Sequence, residues 1–134
     1  MAFVLDASIA ACWALTDEDH KTAALALNRI KSDGARAPGL FWFEIRNILI
    51  VNERRRRITP SESVRFLDFL SQLPLLLDGS PEEFRALQLA RMHGLTFYDA
   101  SYLELAQRER VPLATLDREL ARAARAEGIS LLGE

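Results

Sequence analysis

The chain has 134 residues, of which 49% are hydrophobic and 27% charged, with a formal net charge of −2 at pH 7. This is the length of one ordinary domain and the composition of a folded globular protein. No apolar run reaches the roughly 18–20 residues of a membrane span, no basic segment precedes the first apolar residues, and Cys12 has no second cysteine as a partner. We therefore expect a single cytoplasmic domain over residues 1–134, without a membrane partner or a disulfide.

The first half of the chain alternates short apolar runs with longer amphipathic stretches. The opening apolar run ends at Asp6 and is typical of a buried parallel strand. The run Thr16-Asp17-Glu18-Asp19 has the pattern of a capping box that starts the second helix. In chain order, this half predicts a strand over 2–5, helices over 8–15 and 16–32, a strand over 35–37 and a helix over 40–56.

The second half continues the alternation of strands and helices. Thr59-Pro60-Ser61-Glu62 and Ser80-Pro81-Glu82-Glu83 each combine a capping residue, a proline and a carboxylate in the order that starts a helix. Short apolar strands between helices predict an α/β fold with a central, mainly parallel sheet covered on both faces. The predicted elements are a helix over 60–73, a strand over 75–77, helices over 81–93 and 99–110, a strand over 111–115, a helix over 117–128 and a strand over 129–132.

Three aspartates are expected at one edge of this sheet. Asp6 and Asp117 follow predicted strands, and Asp99 starts a helix after a short connecting segment. Ligands of open α/β sheets bind beyond the carboxyl ends of the strands, where these side chains can meet. Asp is also among the best helix N-caps, so each aspartate taken alone is equally compatible with a capping role.

Glu44 needs a different explanation because it lies among apolar residues, including Phe41 and Ile48, on its predicted helix. A buried carboxylate is costly unless it is paired, hydrogen-bonded or bound to a metal. Asn47 adds a second polar group to the same face one turn later. Two alternatives stay open: an arginine pairs with Glu44, or the helix is rolled so that Glu44 faces solvent.

Four carboxylates that converge without a cation repel one another. Carboxylate oxygens and water suit Mg²⁺ or Mn²⁺, whereas zinc favours Cys and His, and Cys12, His20 and His93 lack ligand spacing. A hard divalent ion activates water and neutralises charge that develops on a phosphodiester. We therefore predict metal-dependent phosphodiester hydrolysis, with the following catalytic and metal-binding residues: Asp6, Glu44, Asp99 and Asp117.

Polar side chains near these acids are candidates for a supporting role. Ser8 and Thr115 each lie two residues from an aspartate, and together with Asn47 they are predicted to orient the ligands or a water molecule. Hydrogen bonding to the local backbone is the alternative for the two hydroxyl residues.

Arginine dominates the cationic residues, since 15 of the 17 are Arg and only Lys21 and Lys31 are Lys. Arg suits phosphate recognition because its planar fork binds two oxygens at once. The run from Arg54 to Arg57 at the end of the 40–56 helix has two interpretations, a solvated helix terminus or a contact with phosphates at the rim of the site.

Four segments, in order and spanning nearly the whole chain, resemble the PIN-domain ribonucleases and, within them, the VapC-type toxins of bacterial toxin–antitoxin pairs: FVLDAS, FWFEIRNIL, TFYDASYLELA and PLATLDREL. The resemblance implies a three-layer α/β/α fold and a Mg²⁺-dependent endoribonuclease. It also implies a homodimer that a cognate, VapB-like antitoxin inhibits. Asp6, Glu44 and Asp99 match the three acidic motif positions, and Asp117 matches a more variable fourth. Thr115 stands in place of a second acid in the last motif, which leaves occupancy of a second metal site open.

Two rival functions also fit aspartates at strand ends. A phospho-accepting receiver domain needs a lysine near the phosphoryl group, and both lysines, Lys21 and Lys31, belong to one early helix. A non-catalytic PIN-like module that acts through protein partners is the stronger rival, because a fold does not by itself establish an activity. Clustered negative charge argues against it, since a scaffold gains nothing from such charge. The broad apolar faces of the 40–56 and 60–73 helices predict a partner interface in either case.

Overall fold

The computed structural model describes residues 1–15, 18 and 20–134. The capping box predicted at 16–19 therefore lies mostly outside the described residues. In chain order, the elements are β1 (Phe3–Leu5), α1 (Ala7–Ala14), α2 (Lys21–Asp33), β2 (Ala35–Pro38), α3 (Leu40–Arg54), α4 (Pro60–Ser71), β3 (Leu75–Asp78), α5 (Glu83–His93), α6 (Phe97–Glu109), β4 (Leu113–Ala114) and α7 (Arg118–Ala126).

The four strands form one parallel sheet in the order β3-β2-β1-β4. The registers join Val4 to Leu113 and Ala35 to both Phe3 and Leu75. The strand predicted over 129–132 is reduced to an isolated parallel bridge between Leu131 and Leu113. Because every pairing is parallel, all four strands end at the same edge of the sheet, which is called the carboxyl edge below.

Helices cover both faces of the sheet, as predicted for a three-layer α/β/α fold. One group consists of α1, α2 and α3, with α1 packed on both of the others, and the second consists of α5, α6 and α7, with α6 packed on both of the others. β1 is completely buried, and Ile45 of α3 and Tyr102 of α6 are fully buried as well. None of the helices in the described part of the chain is long and apolar enough to cross a membrane.

Two helix starts test the predicted capping signatures. At α4 the prediction is confirmed, because Thr59 accepts a hydrogen bond from the Glu62 backbone N–H and the Glu62 side chain accepts one from the Thr59 N–H. At α5 the predicted cap, Ser80, is wrong. The cap is Glu82, whose carboxylate accepts hydrogen bonds from two backbone N–H groups, including that of Arg85 at 2.7 Å.

Candidate active site at the carboxyl edge of the sheet

The structure brings the four predicted acids to the carboxyl edge of the sheet. Asp6 directly follows β1, and Asp117 lies three residues beyond β4. Glu44 is in the second turn of α3, which follows β2, and Asp99 is in the first turn of α6. The acids are close enough to raise one another's pKa: Asp6 and Asp99 each act on Glu44, and Asp117 acts on both Asp6 and Asp99.

Asp6 is the most deeply buried of the four acids, with 7% of its surface exposed. It occupies the N-cap position of α1 but makes no capping hydrogen bond, so the capping interpretation fails here. Its Oδ2 instead accepts hydrogen bonds of 2.7 Å from the hydroxyls of Ser8 and Thr115. Burial raises the pKa of Asp6 more than these two bonds lower it.

Ser8 and Thr115 also bind the backbone, locally in the case of Thr115 and across the fold in the case of Ser8, and their role in orienting metal ligands stays a prediction. The Ser8 hydroxyl accepts a 3.0 Å hydrogen bond from the Leu116 N–H, and the Thr115 hydroxyl accepts one of 3.0 Å from the Asp117 N–H. These bonds join the start of α1 to the connection between β4 and α7. The same two hydroxyls therefore fix the orientation of Asp6 and the position of the chain that carries Asp117.

Asp117 is the one acid of the four that caps its helix. Its Oδ1 accepts hydrogen bonds of 2.9 and 3.0 Å from the backbone N–H groups of Glu119 and Leu120 in α7. Both bonds end on the same oxygen, which holds the carboxylate in one orientation. Capping and a place in the acidic site therefore coexist at this residue.

Asp99 does not begin its helix, contrary to the prediction. The cap of α6 is Thr96, whose hydroxyl accepts a 3.1 Å hydrogen bond from the Asp99 backbone N–H. The Asp99 side chain is therefore not needed for capping and is half-buried beside the other acids. Burial raises its pKa, and the charges of Asp117 and Asp6 raise it further.

Glu44 is half-buried on α3, and no arginine pairs with it in the described part of the chain. Its Oε1 accepts a 2.5 Å hydrogen bond from the Tyr102 hydroxyl. Burial raises the pKa of Glu44 more than this bond lowers it. Burial, followed by the charges of Asp6 and Glu44, also raises the pKa of Tyr102, so the phenol stays protonated and acts as a donor.

Sequence reasoning missed Tyr102, although one signal points to it. Tyr102 follows Asp99 by three residues, and residues three apart lie on the same face of a helix. Asn47, by contrast, is exposed, and its side chain makes no hydrogen bond with the described residues. Its predicted role in orienting a ligand stays a prediction.

The chemistry of this group fits a hard divalent cation. None of the four acids forms an ion pair with an arginine or lysine of the described residues, so no such cationic side chain offsets their repulsion. The available donors are carboxylate and hydroxyl oxygens, which Mg²⁺ and Mn²⁺ prefer. Within residues 1–15, 18 and 20–134, no three acidic, Cys or His side chains already stand in a metal-coordinating arrangement. The four carboxylates therefore lie near one another without forming a coordination shell among the described residues.

A second charged group, also missed from the sequence, supports the carboxyl edge. Glu104 is 2% exposed and receives a 2.7 Å ion pair from Arg108 one turn later. Arg108 also contacts Asp78, at the end of β3, at 2.7 Å. The Glu104 Oε1 accepts a 3.2 Å hydrogen bond from the Glu82 backbone N–H. These contacts tie the loop between β3 and α5 to α6 and account for the buried charge without a metal.

The arginine run lies far along α3 from the acids. Arg54, Arg55 and Arg56 are exposed, whereas Arg57 bonds to Asn52 and Glu18. Arg54 follows Glu44 by ten residues, which is about 15 Å of helix at 1.5 Å per residue. This placement favours a solvated helix terminus over a contact at the reacting phosphate.

Two open clefts flank the acids. One, here named the aromatic cleft, has a volume of about 460 Å³ and is lined mainly by the start of α3, the β3–α5 loop and the start of α6, including Phe97 and Tyr98. The other, here named the polar cleft, has a volume of about 430 Å³ and includes His20, Asp117 and Arg118. Of the four acids, Asp117 lines the polar cleft, and Asp99 directly follows Tyr98 of the aromatic cleft.

Comparisons with known proteins identify the family. Residues 3–126 match the PIN domain. Ribonuclease VapC3 from Pyrobaculum aerophilum is 32% identical over 124 residues, which cover 90% of this chain and 93% of that protein. The crystal structure of PAE2754 from the same organism has a TM-score of 0.73 at 27% identity, covering 92% of this chain and 79% of that one. A toxin-antitoxin complex from Klebsiella pneumoniae has a TM-score of 0.59 at 18% identity, covering 89% and 90%, and this likeness concerns the fold alone. The chain therefore belongs to the PIN domain family and, within it, to the VapC-type ribonucleases.

Proposed function

We propose that this protein, acting as a single domain over residues 1–134, is a Mg²⁺- or Mn²⁺-dependent endoribonuclease that hydrolyses RNA phosphodiester bonds. One observation carries the proposal: in a PIN-domain chain, four carboxylates share the carboxyl edge of the sheet with no cationic side chain of the described residues to neutralise them. We further propose that it is the toxin of a type II toxin–antitoxin pair and that it acts in the cytoplasm.

The metal would be held by Asp6, Glu44, Asp99 and Asp117. When bound, it would supply an activated water molecule and neutralise the charge that develops on the phosphodiester. The chain itself supplies orientation, because fixed donors hold one oxygen of three of these acids. These donors are the hydroxyls on Asp6, the Tyr102 phenol on Glu44 and the backbone of α7 on Asp117.

Such donors restrict carboxylate rotation before a metal arrives, so less conformational freedom is lost on binding. Asp99 also has a side-chain hydrogen bond, with Thr96, which lowers its pKa less than burial raises it.

The proposal is tested by incubating the purified protein with a mixed RNA pool, with EDTA and then with added Mg²⁺ or Mn²⁺. Cleavage should disappear with the chelator and return with either ion. Asp6→Asn should abolish cleavage, whereas Glu83→Gln, an exposed acid on α5, should not change it. Undiminished cleavage in excess chelator contradicts the metal mechanism. No cleavage under any condition favours the non-catalytic binding module instead.

An apolar surface on α3 and α4 supports the proposed protein partners. Trp42, Phe43 and Ile50 of α3 are exposed, as are Val64 and Phe69 of α4. Two clefts of about 180 and 220 Å³ follow one another between these helices. We propose that an apolar segment of a VapB-like antitoxin docks here, and that the active form is a homodimer.

These partners are tested by sedimentation of the isolated protein and by co-purification with the product of the neighbouring upstream gene. Val64→Glu should weaken binding of the antitoxin because it buries a charge in an apolar contact. Lys31→Glu, on the exposed part of α2, is the matched control. A monomer at micromolar concentration that also fails to bind the upstream product contradicts both partner proposals.

A further inference from the structure

We propose that the aromatic cleft is a subsite for one unpaired base of the RNA, next to the phosphodiester that is cleaved. This inference rests on the proposed ribonuclease function and adds the place and the mode of substrate binding. The cleft is lined by the starts of the two helices that carry two of the acids, because Tyr98 precedes Asp99 on α6 and Leu40 lies one turn before Glu44 on α3. A group held in the cleft therefore contacts the helices that hold these two proposed metal ligands.

The cleft exposes two aromatic rings to solvent. Tyr98 is 64% exposed and Phe97 is 38% exposed, although both are in the first turn of α6. Aromatic rings that remain open to solvent beside single-stranded RNA are stacking platforms, since every base has a flat face that can pack on them. Tyr98 and Phe97 thus supply the contact that an unpaired base requires.

The remaining lining of the cleft carries little net charge. Its one ionised side chain, Asp78, is paired with Arg108 at 2.7 Å, and the Ser101 hydroxyl is bonded to the Phe97 carbonyl oxygen at 2.9 Å. Among the described residues, no arginine or lysine lines it. Arg108, the cation beside Asp78, is already paired with Asp78 and Glu104, whereas an uncharged base would meet apolar surface. The volume of about 460 Å³ lies within the range of roughly 300–1,000 Å³ that is usual for small-ligand pockets.

The polar cleft, which Asp117 lines, offers the opposite chemistry. Arg118 is exposed there, directly after Asp117, and His20 lies in the same cleft. Cations position phosphates, whereas aromatic rings hold bases, so the two clefts suit different parts of one RNA strand. This contrast assigns the base to the aromatic cleft. It also requires an unpaired base, because a base inside a duplex cannot present its face to a ring.

The walls of the aromatic cleft are held in place by the fold. Arg108 and Glu104 tie the β3–α5 loop to α6, as described above. On the opposite wall Gly39 packs closely on this loop, since a Cβ at that position would lie 3.3 Å from the Asp78 carbonyl oxygen. Gly79, in contrast, has open space around the position of a Cβ. A side chain introduced at residue 79 can therefore enter the cleft without disturbing the backbone.

The test uses Tyr98→Ala, which removes the stacking ring, and Gly79→Trp, which fills the cleft. Phe84→Ala is the control, because Phe84 is 77% exposed on α5 and does not line the cleft. The substrate is a short single-stranded RNA with one cleavage position, prepared normally, with an abasic residue, or with 2-aminopurine at the tested position. Thermal midpoints of all variants verify that they fold.

Loss of one stacked base should raise KM roughly tenfold in both test variants, with a smaller change in kcat. The abasic RNA should show the same loss with the native protein and no further loss with Tyr98→Ala, since the two changes remove one interaction. Binding should quench 2-aminopurine fluorescence in the native protein and in Phe84→Ala, but not in Tyr98→Ala. This signal reports stacking in the presence of metal or chelator, independently of cleavage.

Native KM values for folded Tyr98→Ala and Gly79→Trp would overturn the base subsite while leaving the ribonuclease function intact. Equal cleavage of the abasic and normal RNA would do the same. Absence of any cleavage by the native protein would instead contradict the proposed function, and the fluorescence signal would still decide whether the cleft binds a base.

Discussion

The Tyr102 hydroxyl donates a 2.5 Å hydrogen bond to Oε1 of Glu44 and thereby joins α6 to α3 at the acidic edge. Tyr102 is fully buried, and the raised pKa of its phenol keeps the proton on the donor. The two residues are 58 positions apart in the chain. The orientation of one acid on α3 therefore depends on the packing of α6, the helix that also carries Asp99.

Tyr102→Phe should weaken the site more than it weakens the fold. The ring still packs, but Glu44 loses its donor, and the free energy of unfolding should fall by about 1 kcal/mol because Glu44 is half-buried. Loss of a supporting hydrogen bond at a metal ligand commonly costs roughly 10–100-fold in metal affinity or activity. Cleavage rates measured over a Mg²⁺ titration should shift accordingly, and an unchanged titration would assign Tyr102 to packing alone.

Asp99→Asn should abolish cleavage without weakening the metal-free fold. Thr96 caps α6, so the substitution leaves the cap intact and removes only the charge. Because burial and two neighbouring aspartates raise the pKa of Asp99, its ionised form is disfavoured in the folded state. Neutralising it should stabilise the metal-free protein by up to about 1 kcal/mol after solvent screening.

The measurement is the thermal midpoint of both proteins with and without Mg²⁺, alongside cleavage of mixed RNA. The rise in midpoint that Mg²⁺ gives should shrink in Asp99→Asn, because the variant binds the ion more weakly. Glu83→Gln is the control for removal of an acidic charge elsewhere on the surface. An active Asp99→Asn variant would contradict the proposed ligand set.

Short-range sequence patterns were sufficient to predict most of the helices and strands. Apolar runs and caps lie within a few residues of one another, and they predicted the order and type of the elements from β1 to α7. The start of α5 was not predictable in this way. The Glu82 backbone N–H bonds to Glu104, which is 22 residues away, so a tertiary contact favours Glu82 over Ser80 as the cap.

The positions of the acids at the carboxyl edge could be predicted because the parallel sheet itself could be predicted. Asp6 and Thr115 are 109 residues apart, but parallel pairing of β1 with β4 brings them together, and the sequence indicated both strands. Tyr102 was missed because the rotation of α6 against α3 decides which of its residues reaches Glu44. No spacing within one helix specifies that rotation, which depends on packing across the whole core.

Acid should destabilise the fold through Glu127. His93, Gln107 and Arg85 contact this carboxylate, and these contacts, led by the His93 hydrogen bond, hold its pKa below the ordinary 4.5. A depressed carboxyl pKa contributes stability that is present above the unfolded pKa and is lost as pH falls through the folded value. The stability that Glu127 contributes, measured by denaturant unfolding as the difference between the native protein and Glu127→Gln, should therefore decline below about pH 4.5, the ordinary value.

Glu127→Gln should lose about 1 kcal/mol or more at neutral pH, because it gives up charge-assisted hydrogen bonds, and its stability should depend less on acid. Glu119→Gln, which breaks only an exposed pair with Arg122, should behave like the native protein. An identical acid dependence in the native protein and Glu127→Gln would exclude this carboxylate as the source.

RNA binding should depend on salt through Arg118 rather than through the arginine run. Arg118 is exposed in the polar cleft directly after Asp117, whereas Arg55 lies beyond Arg54, about 15 Å or more along α3 from Glu44. Each phosphate contact to single-stranded RNA contributes about 0.7 to the slope of log affinity against log salt. Arg118→Gln should therefore reduce the magnitude of that slope by about 0.7 and weaken binding of all sequences alike, while Arg55→Gln should leave both unchanged.

Fluorescence anisotropy of a short labelled RNA, measured with the inactive Asp99→Asn protein in Mg²⁺ at several salt concentrations, gives the slopes directly. A reduced slope for Arg55→Gln and a native slope for Arg118→Gln would move the phosphate path from the polar cleft to the end of α3.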